Sequence, residues 1–333
     1  MTNCATHLPR SISVVFTAIV IIAATVLGES GADKASESTT SQGANRELLM
    51  SVSVTDEKGR IAAKLSKDRF TVLDGKTPLE ISSFEEKDAP YSVGFLIDTS
   101  GSMLQARKLL FTAVQENILS LITRSHDANE YFMLAFGPQP QLLMDWTRDV
   151  NRAVETLKNL ALTKPQGATP FYDACYFAIE KLNQRSNPRR VLILITDAQD
   201  NDSRRSYPDL REFLKKSNIT IYAIFTADPT VDTFAGFGRE IIEEMTSVSG
   251  GERFVPNGNA KISEAFALIG QEMRHQYLIG FNPAVFDRKW HPIKIKVKPI
   301  EVPDPSGPGK APKQIKLSAR TRQGFYVPKE LPK

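Results

Sequence analysis

The chain contains little of what most enzymes use for catalysis. It has two cysteines and four histidines among its 333 residues. The histidines, His7, His126, His275 and His291, stand singly, and no HExxH, GxxxxGK or GxSxG motif is present. Zinc hydrolases and nucleotide-dependent enzymes therefore lack the residues that would carry their chemistry. The sequence favours a function other than catalysis.

A concentrated charge of one sign is also missing. The net charge is +4, and lysine and arginine alternate with aspartate and glutamate along the chain. No basic stripe with interleaved aromatic residues occurs, which argues against nucleic acid as a partner. No motif indicates a small-molecule substrate.

Long hydrophobic runs are absent apart from one near the amino terminus. Residues 12–27 are almost wholly apolar, follow a short polar start and lead into small residues around Gly28 and Gly31. This order predicts an export signal over residues 1–32. Because the run is short for a bilayer span, cleavage is favoured over a retained anchor, and membrane contact is expected only through an uncleaved signal. The mature chain is expected in the periplasm, in the medium or on the cell surface.

The cysteines do not predict a disulfide. Cys4 lies before the apolar run and not just after it, so a lipoprotein cleavage site is not supported. Removal of the signal leaves Cys175 as a single cysteine, which cannot form an internal disulfide. Cys175 lies in a helical pattern, and we predict that it is a small, buried, apolar side chain.

Two segments after the signal predict a linker and β-structure. Residues 33–45 are rich in Ser, Thr, Gly and charge, which is typical of a flexible linker. Residues 46–88 contain strand-length apolar stretches with turns at Lys58-Gly59 and Asp74-Gly75, and residues 273–333 resume strand-like alternation. Neither β-segment buries enough apolar surface alone, so we expect the two to pair in one β-sandwich-like unit.

The central segment, residues 89–272, has a different hydrophobic pattern. Short continuous apolar runs at residues 93–97, 131–136, 191–195 and 219–225 are typical of buried parallel strands, and helical patterns lie between them. This alternation predicts a doubly wound, mostly parallel α/β sheet, inserted in or flanked by the β-sandwich-like unit. Ligands of such sheets bind at the carboxyl ends of the strands, so the loops that follow strands hold the candidate site.

Oxygen-bearing side chains occur in three of these loops. Asp98, Ser100 and Ser102 follow the strand at residues 93–97, Thr169 opens a predicted helix, and Asp197 follows the strand at residues 191–195. All three segments fall at the same edge of the predicted sheet. Two carboxylates and three hydroxyls are hard ligands that suit Mg²⁺, with Mn²⁺ or Ca²⁺ as alternatives. With few carboxylates around it, the ion keeps enough positive charge to attract a carboxylate from outside.

These residues carry a resemblance to a known domain. The Asp98-x-Ser100-x-Ser102 element, together with Thr169 and Asp197, resembles the metal-ion-dependent adhesion site of the von Willebrand factor type A domain. The resemblance implies that the three hydroxyl residues ligate the ion directly, while the two aspartates act mainly through bound water. It also implies a binding function, in which the ion captures a Glu or Asp side chain of a protein ligand.

The similarity extends beyond the site. Ala89-Pro90-Tyr91, residues 275–280 and Gly324-Phe325-Tyr326 resemble segments of the bacterial exported proteins called VWFA-related. The chain departs from the usual domain pattern at Ala168 and Ala198, where glycine is often found. Neither position is a ligand, so the departures concern the shape of the loops more than metal binding.

Two other functions are alternatives. The ion could stabilise only the loops of a structural or assembly scaffold. Alternatively, residues 95–101 superficially resemble an aspartic protease signature, with Asp98 and Asp197 as the two carboxylates. Ser100 replaces the glycine of that signature and the predicted surroundings are α/β, so this hydrolase is less favoured. A calcium loop starting at Asp197 fails, because Pro208 occupies its twelfth position.

Overall fold

A computed structural model describes seven stretches of the chain: residues 47–100, 107–137, 140–160, 169–227, 235–256, 258–303 and 312–327. All of them belong to one unit, Ala44–Lys333. The predicted export signal, residues 1–32, and the predicted linker, residues 33–45, lie outside the described residues.

The described residues form strands and helices with the following bounds. The strands are β1 Leu48–Asp56, β2 Phe70–Asp74, β3 Thr77–Leu79, β4 Ile81–Glu86, β5 Ser92–Asp98, β6 Glu130–Phe136, β7 Gln141–Thr147, β8 Arg190–Thr196, β9 Thr220–Phe225, β10 Arg253–Phe254, β11 Tyr277–Phe281, β12 Trp290–Val297, β13 Ile300–Val302, β14 Lys313–Ile315, β15 Leu317–Arg320 and β16 Gly324–Tyr326. The helices are α1 Arg107–Thr123, α2 Val150–Asn159, α3 Phe171–Asn183, α4 Tyr207–Lys216, α5 Ala235–Ser249 and α6 Asn259–His275, and a short 3₁₀ turn spans Lys67–Arg69.

A six-stranded sheet with the order β10-β9-β8-β5-β6-β7 lies at the centre of the molecule. Its strands are parallel except β7, which pairs antiparallel with β6. Every residue of β5, β6 and β9 is buried, which explains why these strands are continuous apolar runs without alternation.

Helices cover both faces of this sheet. Phe95 and Ile97 of β5 belong to a hydrophobic cluster formed with α1, α2 and α6, whereas Leu96 belongs to a second cluster formed with α3, α4 and α5. Successive side chains of a strand point to opposite faces, so one strand contributes to both cores. Cys175 of α3 is fully buried in the second cluster, which confirms the prediction of a buried apolar role.

Residues 46–88 and the carboxyl-terminal segment contribute strands to shared sheets. β1 pairs with both β11 and β15, and β12 pairs with both β2 and β16. Their apolar residues form a common core that includes Val52, Val72, Ile279 and Ile295. The predicted fold class, a doubly wound α/β sheet with a small β-sandwich-like unit, is confirmed. The predicted boundaries at residues 88/89 and 272/273 stay predictions.

Some details of the secondary structure differ from the sequence-based expectation. The expected strand at residues 315–319 is divided, because β14 pairs with β13 whereas β15 pairs with β1. β7 and α2 were not predicted, and both are only partly buried. The signal for α2 was present, since Val150, Ala153, Val154 and Leu157 have helical spacing. Asp149 begins α2 by accepting a hydrogen bond from the Asn151 amide.

A buried polar cluster lies where the β-unit meets the α/β layers. The Glu272 carboxylate of α6 accepts hydrogen bonds from Tyr222 Oη at 2.6 Å and from Ser53 Oγ at 3.2 Å. Arg320 of β15 forms an ion pair with the same carboxylate. The cluster therefore joins β1, β9, α6 and β15 by satisfied buried polar groups. Among the residues that the structure describes, no helix has the length and apolar character needed to cross a membrane.

Candidate metal site at the carboxyl edge of the sheet

The pairing of β5 with β8 determines where the candidate site lies. The two strands are parallel neighbours, with Ile97 opposite Ile195. Asp98 ends β5, and Asp197 directly follows β8, so the two aspartates emerge at the same edge of the sheet. Both are buried, with 1% and 3% of their surface exposed. Two acidic side chains are thus held side by side away from solvent.

Neutral donors hold the Asp98 carboxylate. Its Oδ1 accepts a hydrogen bond from the Ser100 amide at 2.8 Å, and its Oδ2 accepts one from Thr196 Oγ1 at 2.8 Å. Thr196 Oγ1 in turn accepts from the Ala198 amide at 2.8 Å. The chain after β5 and the chain after β8 are therefore connected through one carboxylate and one hydroxyl.

The surroundings of the two aspartates disfavour their ionised forms. Burial raises the pKa of Asp98 to about 7, and repulsion from Asp197 contributes in the same direction, while the bonds from Ser100 and Thr196 oppose the shift. A nearby positive charge would favour the ionised form of both carboxylates. The chemistry of these donors therefore fits a cation.

The third segment is fastened to the same edge by backbone contacts. The Thr169 amide donates to Asn201 Oδ1 at 2.6 Å, and the Thr169 carbonyl accepts from the Asn201 amide at 3.1 Å. Asp200 Oδ1 accepts from the Tyr172 amide, at the start of α3, at 3.2 Å. The loop after β8 thus fixes Thr169 close to the end of β8.

The loop after β8 also has an unusual backbone. Ala198 has φ of 57°, which lies in the left-handed region that favours glycine. Gly238 of α5 packs against this turn, because a Cβ placed on it would lie 2.6 Å from the Asp197 carbonyl oxygen. The departure at Ala198 noted in the sequence therefore leaves the left-handed turn in place with an alanine in it. The other departure, Ala168, lies outside the described residues.

The structure brings four of the five predicted ligands to one edge. Asp98, Ser100, Thr169 and Asp197 are all buried there. The fifth, Ser102, lies outside the described residues. In the described stretches no group of three or more His, Cys, Asp or Glu residues could hold a metal ion. A cation at this edge would therefore have to use hydroxyl ligands in addition to the two carboxylates.

Sequence reasoning missed the residues that hold the loops. Thr196, Asp200 and Asn201 were not predicted as site residues. The signal was present, since a run of Asp, Asn and Ser after a strand is typical of side chains that hydrogen-bond to nearby backbone.

Comparison with known proteins gives one family match and several similar folds. Residues 93–199 match the family model described as a von Willebrand factor type A domain. An aerotolerance-related membrane protein from Bacteroides fragilis is similar in structure, with 16% identity, a TM-score of 0.44 and coverage of 55% of this chain and 98% of that one. BatB from Bacteroides thetaiotaomicron shows 18% identity, a TM-score of 0.44 and coverage of 55% and 98%.

A third similar structure is the vWF domain of the type V pili tip protein Mfa5 from Porphyromonas gingivalis. It has 12% identity, a TM-score of 0.44 and coverage of 55% of this chain and 95% of that one. Among curated proteins no match was found. The family match extends from β5 to the loop after β8, so it includes Asp98, Thr169 and Asp197. The chain therefore carries a von Willebrand factor type A domain.

Proposed function

We propose that this domain binds a divalent cation, Mg²⁺ or Mn²⁺, through Asp98, Ser100, Ser102, Thr169 and Asp197, and that a partner protein docks onto the ion with a Glu or Asp side chain. Ser100, Ser102 and Thr169 would ligate the ion directly, and the two aspartates would act mainly through water. When bound, the cation supplies positive charge and an open coordination position for the outside carboxylate.

One observation supports this proposal more than any other. Asp98 and Asp197 are buried at the same edge, and the groups that donate to Asp98 are a backbone amide and hydroxyls, which carry no full positive charge. Buried carboxylates are normally paired with a cation or coordinate a metal. A bound cation removes the cost of holding these two negative charges together.

The loop contacts favour capture of a partner over the scaffold alternative. Thr169 is bonded to Asn201 in both directions, and Asp200 holds the first turn of α3. These bonds order the loop after β8 and the start of α3 through the protein's own groups. That loop does not depend on an ion for its order, so the charge of the ion would serve an outside ligand.

Binding is favoured over hydrolysis by the surroundings of the two aspartates. Asp98 and Asp197 lie at the end of a mostly parallel sheet covered by helices, whereas the aspartic-protease alternative needs all-β surroundings. The predicted export signal at residues 1–32 leads us to propose a partner outside the cytoplasm, in the periplasm, the medium or the cell surface.

Calorimetry tests the metal site. The full chain, freed of metal with a chelator and dialysed, is titrated with MgCl₂ and MnCl₂, and its thermal unfolding is followed in parallel. We expect binding to the folded state and a higher melting temperature. Asp98→Ala and Thr169→Ala should remove most of both effects. Asp202→Ala deletes an exposed carboxylate in the same loop and should leave them intact. Absence of binding at millimolar metal would refute the site.

A capture experiment tests the acidic partner. Immobilised wild type and Ser100→Ala protein are exposed to an extract of the producing cells, and the bound material is eluted with a chelator. The protein captured by wild type alone is then purified, and its surface Glu and Asp residues are replaced by Gln and Asn in turn. We expect one such replacement to abolish capture. A partner that remains bound in chelator and to Ser100→Ala would contradict the mechanism. Metal binding without any chelator-sensitive partner would favour the scaffold.

A further inference from the structure

A cavity lies at the other end of the central sheet from the candidate metal site. Its volume is about 350 Å³. Arg190, the first residue of β8, lines it together with Lys215 and Lys216 from the last turn of α4. Arg322, from the connection between β15 and β16, also lines it. The cavity thus lies between the amino end of the parallel sheet and the β-unit.

The two arginines of this cavity lack part of their hydrogen bonding. Nε of Arg190 and Nε of Arg322 are both buried and have no partner among the described residues. The other nitrogens of Arg322 are used, since Nη2 donates to the Lys215 carbonyl at 2.7 Å and Nη1 to Asn218 Oδ1 at 3.5 Å. A buried guanidinium nitrogen without a partner is costly, so the two unpaired groups require an explanation.

The charges around the cavity are mostly of one sign. Burial lowers the pKa of Arg190, and burial together with the nearby charge of Arg190 lowers the pKa of Arg322 to about 10. Lys215 forms an ion pair with Glu212, which does not line the cavity. Glu47 is the carboxylate in the lining, and its Oε2 accepts a hydrogen bond from Ser82 Oγ at 2.6 Å. Two guanidinium groups therefore repel each other where an anion would relieve both.

One part of the remaining wall is apolar, while Ser186 and Asn218 add polar groups. Leu48, Met50, Phe281, Phe325 and Tyr326 belong to the lining. Small-molecule sites have volumes of roughly 300–1,000 Å³ and combine apolar walls with a few polar groups. This cavity is at the small end of that range, with room for a compact organic group beside an anionic one.

We propose that this cavity binds a phosphate monoester, with the phosphate held between Arg190 and Arg322 and the organic group against the apolar wall. Guanidinium groups bind phosphate oxygens through paired N–H donors, and both arginines line the cavity with only part of their surface buried. A dianion matches the two arginines better than a singly charged carboxylate does. The site is separate from the candidate metal site, so the proposal does not depend on metal binding.

The test uses the full chain in chelator, so that metal cannot contribute. Inorganic phosphate, phenyl phosphate, sulfate, benzoate and sodium chloride are added at matched ionic strength, and binding and melting temperature are measured. At about ten times the dissociation constant we expect phenyl phosphate to raise the melting temperature by about 3 °C. Inorganic phosphate should act more weakly, and benzoate and chloride should have no effect.

The variants separate an anion site from a structural role. Arg190→Met removes one of the two repelling charges, so it should raise the melting temperature without ligand and abolish the response to phenyl phosphate. Arg190→Lys keeps the charge without the paired donors, and we expect binding at least tenfold weaker. Arg60→Met removes an exposed arginine elsewhere and should change neither result. Equal stabilisation by chloride, an unchanged response in Arg190→Met, or benzoate binding as tight as phenyl phosphate would overturn the proposal.

Discussion

The two ends of the central sheet have opposite electrostatic problems. At the carboxyl end, Asp98 and Asp197 are buried together, with hydroxyl and amide donors around Asp98. At the amino end, the half-buried Arg190 and Arg322 are close enough to repel each other, and the buried Nε of each has no hydrogen-bond partner among the described residues. β8 connects the two ends, since it begins at Arg190 and is followed by Asp197.

The comparison of the two ends indicates which parts of this fold are destabilising. Like charges buried together cost free energy unless a group of opposite charge joins them. Proteins tolerate such groupings of like charge mainly at sites that bind a ligand. Arg320 provides the internal reference, because it is an arginine at the same junction whose charge is matched by Glu272.

The largest expected loss of stability comes from removing the ion-pair partner of Arg320. Glu272→Ala removes the acceptor of Tyr222 and Ser53 as well as the ion-pair partner, and we expect a loss of about 3 kcal/mol in the free energy of unfolding, measured by urea denaturation. Glu252 also contacts Arg320, at 3.1 Å, but its side chain is 48% exposed, so Glu252→Ala should cost less than about 1 kcal/mol. Equal losses for the two variants would show that burial does not determine how much each ion pair with Arg320 contributes to the free energy of unfolding.

Steric change at the carboxyl end should have the next largest effect. In Gly238→Ala the new Cβ would lie 2.6 Å from the Asp197 carbonyl oxygen, so α5 or the turn must shift. We expect a loss of about 2 kcal/mol in the free energy of unfolding and weaker binding of Mg²⁺. Gly236 in the same helix has no atom within 4 Å of such a Cβ, so Gly236→Ala should be neutral or stabilising by up to ~1 kcal/mol. Urea denaturation and calorimetry of both variants check this contrast.

Substitutions in the left-handed turn at Ala198 should change the free energy of unfolding by a smaller amount, and the new side chain should determine the direction. Ala198→Val places a β-branched residue at φ of 57° and should cost about 1–2 kcal/mol. Ala198→Gly relieves the backbone but loses a buried methyl group and increases the freedom of the unfolded chain, so we expect a change within about 0.5 kcal/mol of zero. Urea denaturation of both variants is the measurement. A large gain for Ala198→Gly would mean that the alanine stores more strain than these magnitudes allow.

The fold was largely predictable because its signals are local. Continuous apolar runs marked β5, β6, β8 and β9, and the position of Asp98 and Asp197 after two of them was enough to expect both at one edge. The partly buried β7 and α2 were missed, although the apolar residues of α2 have helical spacing. All five predicted ligands stay predictions; the structure places four of them at one edge, and Ser102 lies outside the described residues.

The cavity at the amino end was not predictable from the sequence. Arg190 and Arg322 are far apart in the chain, and neither stands in a recognisable motif. They meet because the connection between β15 and β16 of the β-unit packs against the first residue of β8 and the end of α4, which contacts β16. Such a site depends on the relative placement of two layers, and a linear pattern carries no information about it.

The smallest expected effect belongs to a charge cluster that is already matched and partly exposed. His291 of β12 contacts Asp74 Oδ2 at 2.8 Å and Asp287 Oδ1 at 3.0 Å, and these contacts, with that to Asp287 the largest, raise the pKa of His291 above its usual value of 6.5. A raised pKa in the folded state means that the contribution to stability is complete below about pH 6.5 and is lost as the pH rises through the folded pKa.

The free energy of unfolding should therefore fall between pH 6 and pH 8 by less than ~1 kcal/mol from this group. His291→Gln should remove that part of the pH dependence, whereas His126→Gln, at a histidine outside the cluster, should keep it. Urea denaturation at a series of pH values gives the comparison. If His291→Gln lost stability equally at pH 6 and pH 8, the contribution would come from packing against Phe325 and not from charge, because the ring stacks on Phe325 with centroids 5.3 Å apart in either protonation state.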